Sequence, residues 1–432
     1  MSILNVNKIN PVGGGSTITI AGIASVTSTV TAPSFVGAVT GNVTGNVTGD
    51  ATGLSGNPSI NTTGIVTATS FIPTVGQLSH RNLVTNGAMM VSQRGTSFSG
   101  TAQGYTLDRM QMNTVGNDEI AQTEQASVTS GGAYTSGFRK CMKIINGNQT
   151  SGAGAGDVVH LKMVLEAQDI ANSGWNYTSS SSFITLSFWI KSSVAQDFPI
   201  TLRSEDGTRQ VYNMTTGSLT ADTWTKVTKT IPGNSNLQFD DNNAAGLTLF
   251  VNAFVGTDYT TGSLAQNAWS SWSGAKQGDN MTSTWYTTNN ATLEITGIQL
   301  EVGPVATPFE HRNFGDELRR CQRYYFRLPY QGVGNSGGVL LGSGKETGST
   351  ARVCVIFPAP MRAIPSCAAS NLIADDETSA TSANTINQVL ASSVEPDRAR
   401  IQFTGGSYSS GNSISLATNA ATNSYLEGSA EL

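Results

Sequence analysis

Four aromatic residues crowd one polar stretch near the middle of the chain. They lie in NAWSSWSGAKQGDNMTSTWYTT and are Trp269, Trp272, Trp285 and Tyr286. Aromatic rings stack on the C–H faces of sugars, and the interspersed Asn, Gln and Asp side chains can bond to hydroxyls. The pattern predicts a carbohydrate-binding loop. The alternative is that these rings plug the end of a β-sandwich or bury against a neighbouring protomer.

Clusters of acidic residues are the candidates for catalysis. They are Glu205-Asp206, Asp240-Asp241 and Asp375-Asp376-Glu377. A glycan-cleaving enzyme needs two carboxylates about 5–10 Å apart, and adjacent acids among turn formers point away from each other. No GxSxG, HExxH or P-loop occurs, and Gly342-Ser-Gly-Lys345 lacks Walker spacing. The sequence therefore predicts no catalytic residues and a protein that is not an enzyme.

Cysteine and histidine do not form a metal-ligand pattern. None of the four cysteines stands in a CxxC motif, and the three histidines are scattered along the chain. A zinc site is therefore not expected. The N-terminus lacks the apolar core of a signal peptide, which predicts synthesis in a cytoplasm and four buried free thiols. These residues are Cys141, Cys321, Cys354, Cys367, His80, His160 and His311. We expect no cofactor.

Charge and hydropathy exclude several function classes. Only 12% of the 432 residues are charged, against about 25% in a usual globular protein, and the net charge is −5. That balance predicts neither a nucleic-acid partner nor attraction to an anionic membrane. No apolar run approaches the ~18 residues that span a bilayer.

A four-residue repeat dominates residues 1–79. The segment GAVTGNVTGNVTGDATG covers residues 37–53. Side chains alternate between the two faces of a strand, so a four-residue repeat returns each residue to the same face. Val and Gly then share one face, while Asn and Thr share the other. The apolar side is too thin for one chain to fold upon, which favours an intertwined β shaft of three identical chains. The oligomerisation residues would be Val39, Gly41, Val43, Gly45, Val47 and Gly49. The alternative is a flexible linker.

Residues 80–312 predict one large all-β domain, a jelly-roll sandwich. Short runs of alternating apolar and β-branched residues are separated by Gly, Asn and Asp clusters. The strands predicted from this pattern are Phe183–Lys191, Phe198–Arg203, Gly207–Tyr212, Trp224–Ile231, Gly246–Phe254 and Ala291–Val302.

A short amphipathic helix is predicted over residues 313–328, because apolar residues recur at heptad spacing. They are Phe314, Leu318, Cys321 and Tyr325. This stripe either packs on the chain's own β domain or forms a three-chain neck. Residues 329–432 then predict a small C-terminal β-sandwich. Its strands would lie in Ala351–Pro365, Arg398–Phe403 and Ser413–Ala417, with long polar loops such as Ala374–Ser392.

Several stretches carry a family resemblance. The order NLVTNG at residue 82, then TLSFWIK, DTWTKVTKTI and ITGIQLEVGPVATPFE, resembles the carbohydrate-binding jelly rolls of bacterial glycanases, in the variant found in phage tail fibres. The repeats GIVTATSF and GNVTGNVTG, and the segment FGDELRRCQRYY, are also similar to tail fibres, those with the repeats coming from phages of marine cyanobacteria.

The resemblance implies a tail fibre of a tailed bacteriophage, made in the host cytoplasm and located in the virion. It implies a homotrimer whose N-terminus docks on other tail proteins. The C-terminal domain would be the tip that meets host glycan or lipopolysaccharide, through multivalent contacts. Related jelly rolls often hold a structural calcium ion, for which no ligands are named here. The alternatives are a tail or baseplate adaptor without receptor contact, and a tailspike that degrades polysaccharide.

Overall fold

The computed structural model describes most of the chain from residue 79 onward, and all described residues belong to one unit of mutual contacts. The described ranges are 79–100, 102–260, 262, 265–278, 281–333, 339–346, 350–375, 380–382, 385–404, 411–419 and 424–432. The predicted shaft, with Val39, Gly41, Val43, Gly45, Val47 and Gly49, lies outside the described residues. Over the described ranges the fold is all-β.

The first thirteen strands form two sheets facing each other. In chain order they are β1 (Ser97–Phe98), β2 (Gln103–Tyr105), β3 (Gln111–Val115), β4 (Gln122–Ser127), β5 (Lys140–Ile145), β6 (Val158–Glu166), β7 (Phe183–Ser192), β8 (Pro199–Ser204), β9 (Gln210–Thr215), β10 (Thr225–Pro232), β11 (Ala245–Val255), β12 (Trp269–Ser271) and β13 (Thr292–Val302). Sheet 1 has the order β1-β4-β5-β13-β7-β10, and sheet 2 has the order β12-β9-β8-β11-β6-β3-β2. Together they form the predicted sandwich, and the strands predicted between residues 183 and 302 are confirmed, with ends shifted by at most three residues.

Strict alternation of side chains builds the core of this sandwich. On β7, Ile184, Leu186, Phe188 and Ile190 are all buried, while the residues between them face outward. Inward-facing residues of sheet 2, such as Leu249 of β11, belong to the same hydrophobic cluster. Because strand side chains alternate, each strand fixes both a core contact and an outer-face position.

The last ten strands form the C-terminal sandwich. They are β14 (Tyr325–Val333), β15 (Leu340–Glu346), β16 (Thr350–Ile356), β17 (Ser366–Ser370), β18 (Leu372–Asp375), β19 (Ala380–Ser382), β20 (Thr385–Glu395), β21 (Arg398–Thr404), β22 (Ser413–Thr418) and β23 (Ser424–Ser429). Sheet 3 has the order β14-β23-β17, and sheet 4 the order β19-β18-β22-β15-β16-β21-β20. Residues of both sheets share one hydrophobic cluster, which confirms the predicted small sandwich.

The prediction of a long polar loop over Ala374–Ser392 is wrong. The chain there contains the end of β18, all of β19 and most of β20. Strand β20 pairs with β21 from Thr385↔Thr404 to Glu395↔Arg398, with irregularities after Ile386 and between Val389 and Val394. The strand lies at the edge of sheet 4, where Ser, Thr and Asn are tolerated, and its composition therefore resembles that of a loop.

The helices are short. They are α1 (Gly131–Thr135), α2 (Ala167–Ala171), α3 (Thr284–Thr287) and α4 (Phe314–Gln322). In α4 the Asn313 side chain caps the N-terminus by accepting from the Asp316 amide at 2.9 Å, acids occupy the first turn and arginines the last. Among the described residues, none of the helices has the length and apolarity to cross a bilayer.

The predicted helix over 313–328 is too long. It ends at Gln322, and Tyr325 instead begins β14, paired with Ser429. From Tyr325 to Leu328 the backbone pairs with β23 instead of continuing the helix, so the heptad stripe breaks. Cys321 and Tyr325 are buried in the chain's own fold, Leu318 is half-buried and Phe314 is 45% exposed. The helix thus packs within its own chain, and the three-chain neck stays a prediction.

The two sandwiches meet through paired charges. Arg323, just after α4, donates two hydrogen bonds of 2.8 Å to the buried carboxylate of Glu166 at the end of β6. Burial raises the pKa of Glu166, but the hydrogen bonds from Arg323, Tyr324 and Gln168 and the Arg323 charge together hold the pKa below its usual range. Near the C-terminus, Glu431 pairs with Arg94 and Arg109 of the first sandwich. These contacts fix the two domains to each other.

Candidate functional site

The structure divides the four predicted carbohydrate-binding aromatics. Trp285 and Tyr286 are 0% and 1% exposed and belong to the core of the first sandwich. Tyr286 stacks on Phe254 with ring centroids 4.2 Å apart, and its hydroxyl donates to Asp157 at 3.0 Å. Burial, with this bond to Asp157, raises the pKa of Tyr286. Assigning these two residues to a sugar platform is wrong, because α3 turns both rings inward and leaves no face for a ligand.

Trp269 also serves the fold. It lies on β12 opposite Tyr212, and the two rings meet edge to face at 5.2 Å. The indole nitrogen donates to the Pro232 carbonyl at 2.7 Å, and the side chain packs against the main core. Its partly buried ring therefore closes one end of the sandwich.

Trp272 lies on the outside of sheet 2. It follows β12 at the same parity as Ser270, which faces outward beside Val211 of β9. Its half-exposed ring has the Arg203 guanidinium 5.1 Å and the Arg209 guanidinium 5.6 Å from the ring centroid. Of the four predicted aromatics, this one keeps a ring available at an outer sheet face.

Trp272 stands at one edge of a layer of mostly polar side chains on the outer side of sheet 2, here called the sheet 2 face; Thr201, Asn213, Asn252 and Thr248 within it are buried. Its members are the outward-facing residues of adjacent strands, and cross-strand register aligns Gln111, Lys162, Phe250, Thr201 and Asn213 in one row. The remaining members are Asn113, His160, Thr248, Asn252, Arg203, Glu205, Arg209, Val211, Ser270 and Trp272.

The arginines of the sheet 2 face are held in ion pairs. Glu205, nearly buried, accepts from Arg203 at 2.8 Å and from Arg209 at 3.0 Å, and it also accepts a hydrogen bond from the Thr248 hydroxyl. Burial lowers the pKa of Lys162, with Glu205 acting in the opposite direction. The guanidinium groups are therefore fixed as planar donors next to Trp272.

Polar groups without partners concentrate on the same face. Thr201 bonds to Asn213 Oδ1 at 3.2 Å and to Asn252 Nδ2 at 3.5 Å. Asn213 Nδ2 and Asn252 Oδ1, both on fully buried side chains, have no hydrogen-bond partner among the described residues. The Thr201 hydroxyl also donates to the Gln277 carbonyl at 2.9 Å, so another segment of the chain covers part of this face. Buried polar groups are nearly always paired in folded proteins, so this donor and this acceptor mark a place for an ordered water.

His160 adds a third open group. Its Nε2 lies 3.2 Å from the Asn113 amide nitrogen, which donates, so the ring proton is on Nδ1. Nδ1 has no partner in the part of the chain that the structure describes. Burial, then the nearby Lys162 and Arg203, lower the pKa of His160 to about 3. The ring is therefore a neutral donor at ordinary pH.

The outer face of sheet 1 carries two other tryptophans. Trp189 is covered by α1, since a Cβ on Gly132 would come within 2.5 Å of its ring. Trp224 is half-buried beside Gly131 and has the Lys191 ammonium 5.2 Å from its ring centroid. A pocket of about 440 Å³, lined by Trp189, Phe138 and Lys226 among others, lies on this side.

The acid clusters have structural contacts. Glu205 belongs to the ion pairs above, Asp206 accepts from the Asp240 amide at 3.0 Å, and Asp241 accepts from Asn172 at 2.7 Å. Asp375 ends β18, and its two acidic neighbours lie outside the described residues. Within the described ranges, no three His, Cys, Asp or Glu side chains cluster as a metal site, so no ligands are assigned to the structural calcium ion.

Comparisons with known proteins give weak fold-level similarities. No family model matches the chain, and no curated protein matches it. The enzymatically active domain of bacteriophage CBA120 tailspike protein 4 aligns at TM-score 0.26 and 10% identity, over 51% of this chain and 21% of that one. The CBM22-1 xylan-binding domain of Paenibacillus barcinonensis Xyn10C aligns at 0.26 and 10%, over 54% and 100%.

The family 11 carbohydrate-binding module of Clostridium thermocellum aligns at TM-score 0.22 and 14% identity, over 49% of this chain and 97% of that one. The aligned part thus spans about a fifth of the tailspike's length but nearly all of the two modules. At these TM-scores the similarities decide nothing about function. The class of this protein, an all-β chain of two sandwiches with a polar aromatic sheet face, rests on its own strands and contacts.

Proposed function

We propose that this chain is a non-enzymatic attachment protein of the tail-fibre type, and that the sheet 2 face binds a neutral glycan. The observation that carries the proposal is the half-exposed Trp272 ring flanked by the Arg203 and Arg209 guanidinium groups on the outer side of sheet 2. A sugar ring offers an apolar C–H face and many hydroxyls, which matches that combination.

The assembly is part of the same proposal. The GxVT repeat, with its thin apolar face, supports three chains wound together through residues 1–79, with the N-terminus joined to other tail proteins of a phage particle. Three copies of a weak glycan site would then act together on a bacterial surface. The resemblance of residues 82–310 and of the N-terminal repeats to phage tail fibres supports this location in the virion.

The central experiment compares Trp272→Ala with Trp224→Ala. Binding of the full chain to neutral polysaccharides, such as xylan, mixed-linked β-glucan and galactan, is measured by affinity electrophoresis and calorimetry. We expect Trp272→Ala to weaken binding at least about tenfold. Trp224→Ala, which removes a similarly half-buried tryptophan on the side of sheet 1, should bind like the parent. Equal loss in both variants, or no loss in Trp272→Ala, would overturn the assignment of the face.

Two further measurements separate the rival functions. Release of reducing ends from host polysaccharide would make the chain a degrading tailspike and would contradict the non-enzymatic proposal. If purified protein fails to block phage adsorption although it binds host glycan, the chain is an adaptor rather than the receptor-binding fibre. Sedimentation of the full chain tests the trimer, since a stable monomer would remove the shaft.

A further inference from the structure

The outer face of sheet 4 carries a group of positive charges on the surface of an acidic chain. On β16 the residues alternate, with Ala351, Val353 and Val355 buried and Arg352 and Cys354 exposed. Cross-strand register puts Lys345 of β15 directly opposite Arg352, and Arg400 of β21 directly opposite Cys354. We call Lys345, Arg352 and Arg400, with Cys354 between them, the basic face.

These three cations have no carboxylate partner among the described residues. Arg352 donates to the neutral Gln402 side chain at 3.1 Å, and Lys345 and Arg400 are exposed. Like charges directly opposite each other on neighbouring strands destabilise a sheet. The chain as a whole has a net charge of −5, so the cluster does not follow from a generally basic composition.

Acidic residues near this face lie toward its edges. Arg398, on the outermost row, pairs with Asp397 at 2.9 Å and stands opposite Glu395 of β20. Asp375 lies at one end of a cross-strand row of residues that continues through Ser415, Ser343, Cys354 and Arg400. That places the Asp375 backbone four strands, about 19 Å, from Arg400. The centre of the sheet therefore keeps its positive charge.

We propose that the basic face is a second binding surface, and that its ligand is an acidic polysaccharide carrying carboxylate or phosphate groups along the chain. The cations are spread over three adjacent strands, about 10 Å across, which suits a polymer with repeated charges better than one small anion. Ser343 lies beside them in the same row and supplies a hydroxyl for hydrogen bonds. This inference adds a charged ligand class to the proposed attachment function but does not depend on Trp272.

Cys354 provides a local reporter of binding. It is the exposed thiol of the basic face, whereas Cys141 and Cys321 are buried and Cys367 is partly buried, so the expectation of four buried thiols is wrong for Cys354. The full chain is alkylated by N-ethylmaleimide in the presence of polygalacturonate, neutral galactan or duplex DNA. Peptide mass spectrometry then measures the rate of alkylation at each cysteine. We expect polygalacturonate to slow alkylation of Cys354 at least about threefold, with Cys367 unchanged. Absence of protection at a concentration where binding is saturated would overturn the proposal.

Charge removal gives the matched test. The variant Lys345→Gln/Arg352→Gln/Arg400→Gln should bind polygalacturonate roughly tenfold more weakly than the parent. The control Arg139→Gln/Lys226→Gln/Lys229→Gln removes the same charge from the first sandwich and should bind like the parent. Equal loss in both triple variants would mean that net charge, not this face, governs binding. Equal protection of Cys354 by duplex DNA and polygalacturonate would overturn the assignment to a glycan.

The outcomes also separate this inference from the proposed function. Loss of neutral-glycan binding in Trp272→Ala with polygalacturonate binding intact supports both surfaces. Polygalacturonate binding that depends on Trp272 and not on Lys345, Arg352 and Arg400 would place all glycan contact on the sheet 2 face and contradict the basic face alone.

Discussion

The outer faces of sheet 2 and sheet 4 both present arginines on a β-sheet surface, yet they hold them differently. On the sheet 2 face, Arg203 and Arg209 share the carboxylate of Glu205 and flank the Trp272 ring. On the basic face, Lys345 and Arg352 stand opposite each other without a carboxylate among the described residues. Paired guanidiniums act as fixed hydrogen-bond donors, whereas unpaired ones attract anions over a Debye length of roughly 10 Å.

The difference teaches how one chain can serve two ligand classes. A surface whose charges are already paired gains little from an added anion and depends on stacking and hydrogen bonds. A surface of unpaired cations depends on the charge of its ligand and on salt. Four predictions test this comparison, beginning with the change expected to have the largest effect.

The first prediction separates core aromatics from the sheet 2 face. Trp285→Ala should lower the free energy of unfolding by about 3–5 kcal/mol, because it opens a cavity in the main core. Trp272→Ala should lower it by less than about 1 kcal/mol, because the ring is half-exposed. Urea unfolding of both variants measures this. Similar losses would show that Trp272 is also a core residue and would remove it from the ligand surface.

The second prediction concerns a substitution that gives the sheet 2 face unpaired cations like those of the basic face. Glu205→Gln leaves Arg203 and Arg209 without their shared carboxylate and should cost about 1–3 kcal/mol of unfolding free energy. The variant should also gain salt-sensitive binding to polygalacturonate on the sheet 2 face. The control is Glu124→Gln, which breaks the exposed pair with Lys143 and should cost under about 1 kcal/mol. If Glu205→Gln gains no acidic-glycan binding, the ion pairing is not what separates the faces.

The third prediction concerns pH. His160 titrates near 3 in the fold and near 6.5 when unfolded, because burial and then Lys162 and Arg203 disfavour its charged form. Above pH 6.5 the His160 ring is neutral in both states and the free energy of unfolding is not reduced by its titration. As the pH falls below 6.5, the unfolded chain binds a proton at His160 that the folded chain does not, so the free energy of unfolding decreases. The loss should approach about 1.4 kcal/mol per pH unit between the two pKa values. His160→Gln should remove this dependence from urea unfolding between pH 6.5 and 4.5. An unchanged slope would show that His160 is not buried as a neutral ring.

The fourth prediction has the smallest effect on stability. Arg352→Glu places opposite charges across β15 and β16 and should raise the unfolding free energy by about 0.2–1 kcal/mol while weakening polygalacturonate binding. Gln402→Glu is the matched control for the added negative charge beside Arg352. A loss of stability in Arg352→Glu would mean that Lys345 and Arg352 do not repel each other in the folded protein.

Sequence patterns predicted the strands whose two faces differ sharply. Strands such as β7 and β11 alternate long apolar side chains toward the core, and this periodicity is visible without a structure. The sequence pattern did not predict the strands that precede β7. In β3 and β6, outward residues such as Asn113, His160 and Lys162 interrupt an otherwise apolar pattern, and the loops between these strands vary in length.

The candidate site was only partly predictable. Aromatic density drew attention to Trp272 but could not tell it from Trp285 and Tyr286, since the direction of a ring depends on β12 and the α3 turn. The basic face could not be predicted at all. Lys345, Arg352 and Arg400 are brought together by the register of β15, β16 and β21, which local sequence does not specify.

The most direct test of the comparison is the salt dependence of binding by the full, unmodified chain. Affinity for a neutral polysaccharide bound through Trp272, and affinity for polygalacturonate, are measured from about 50 mM to about 500 mM sodium chloride, where screening lengths shrink severalfold. We predict that neutral-glycan affinity changes less than about twofold, while polygalacturonate affinity falls at least about tenfold. Parallel salt dependence of the two affinities would contradict the claim that the two faces use their arginines differently.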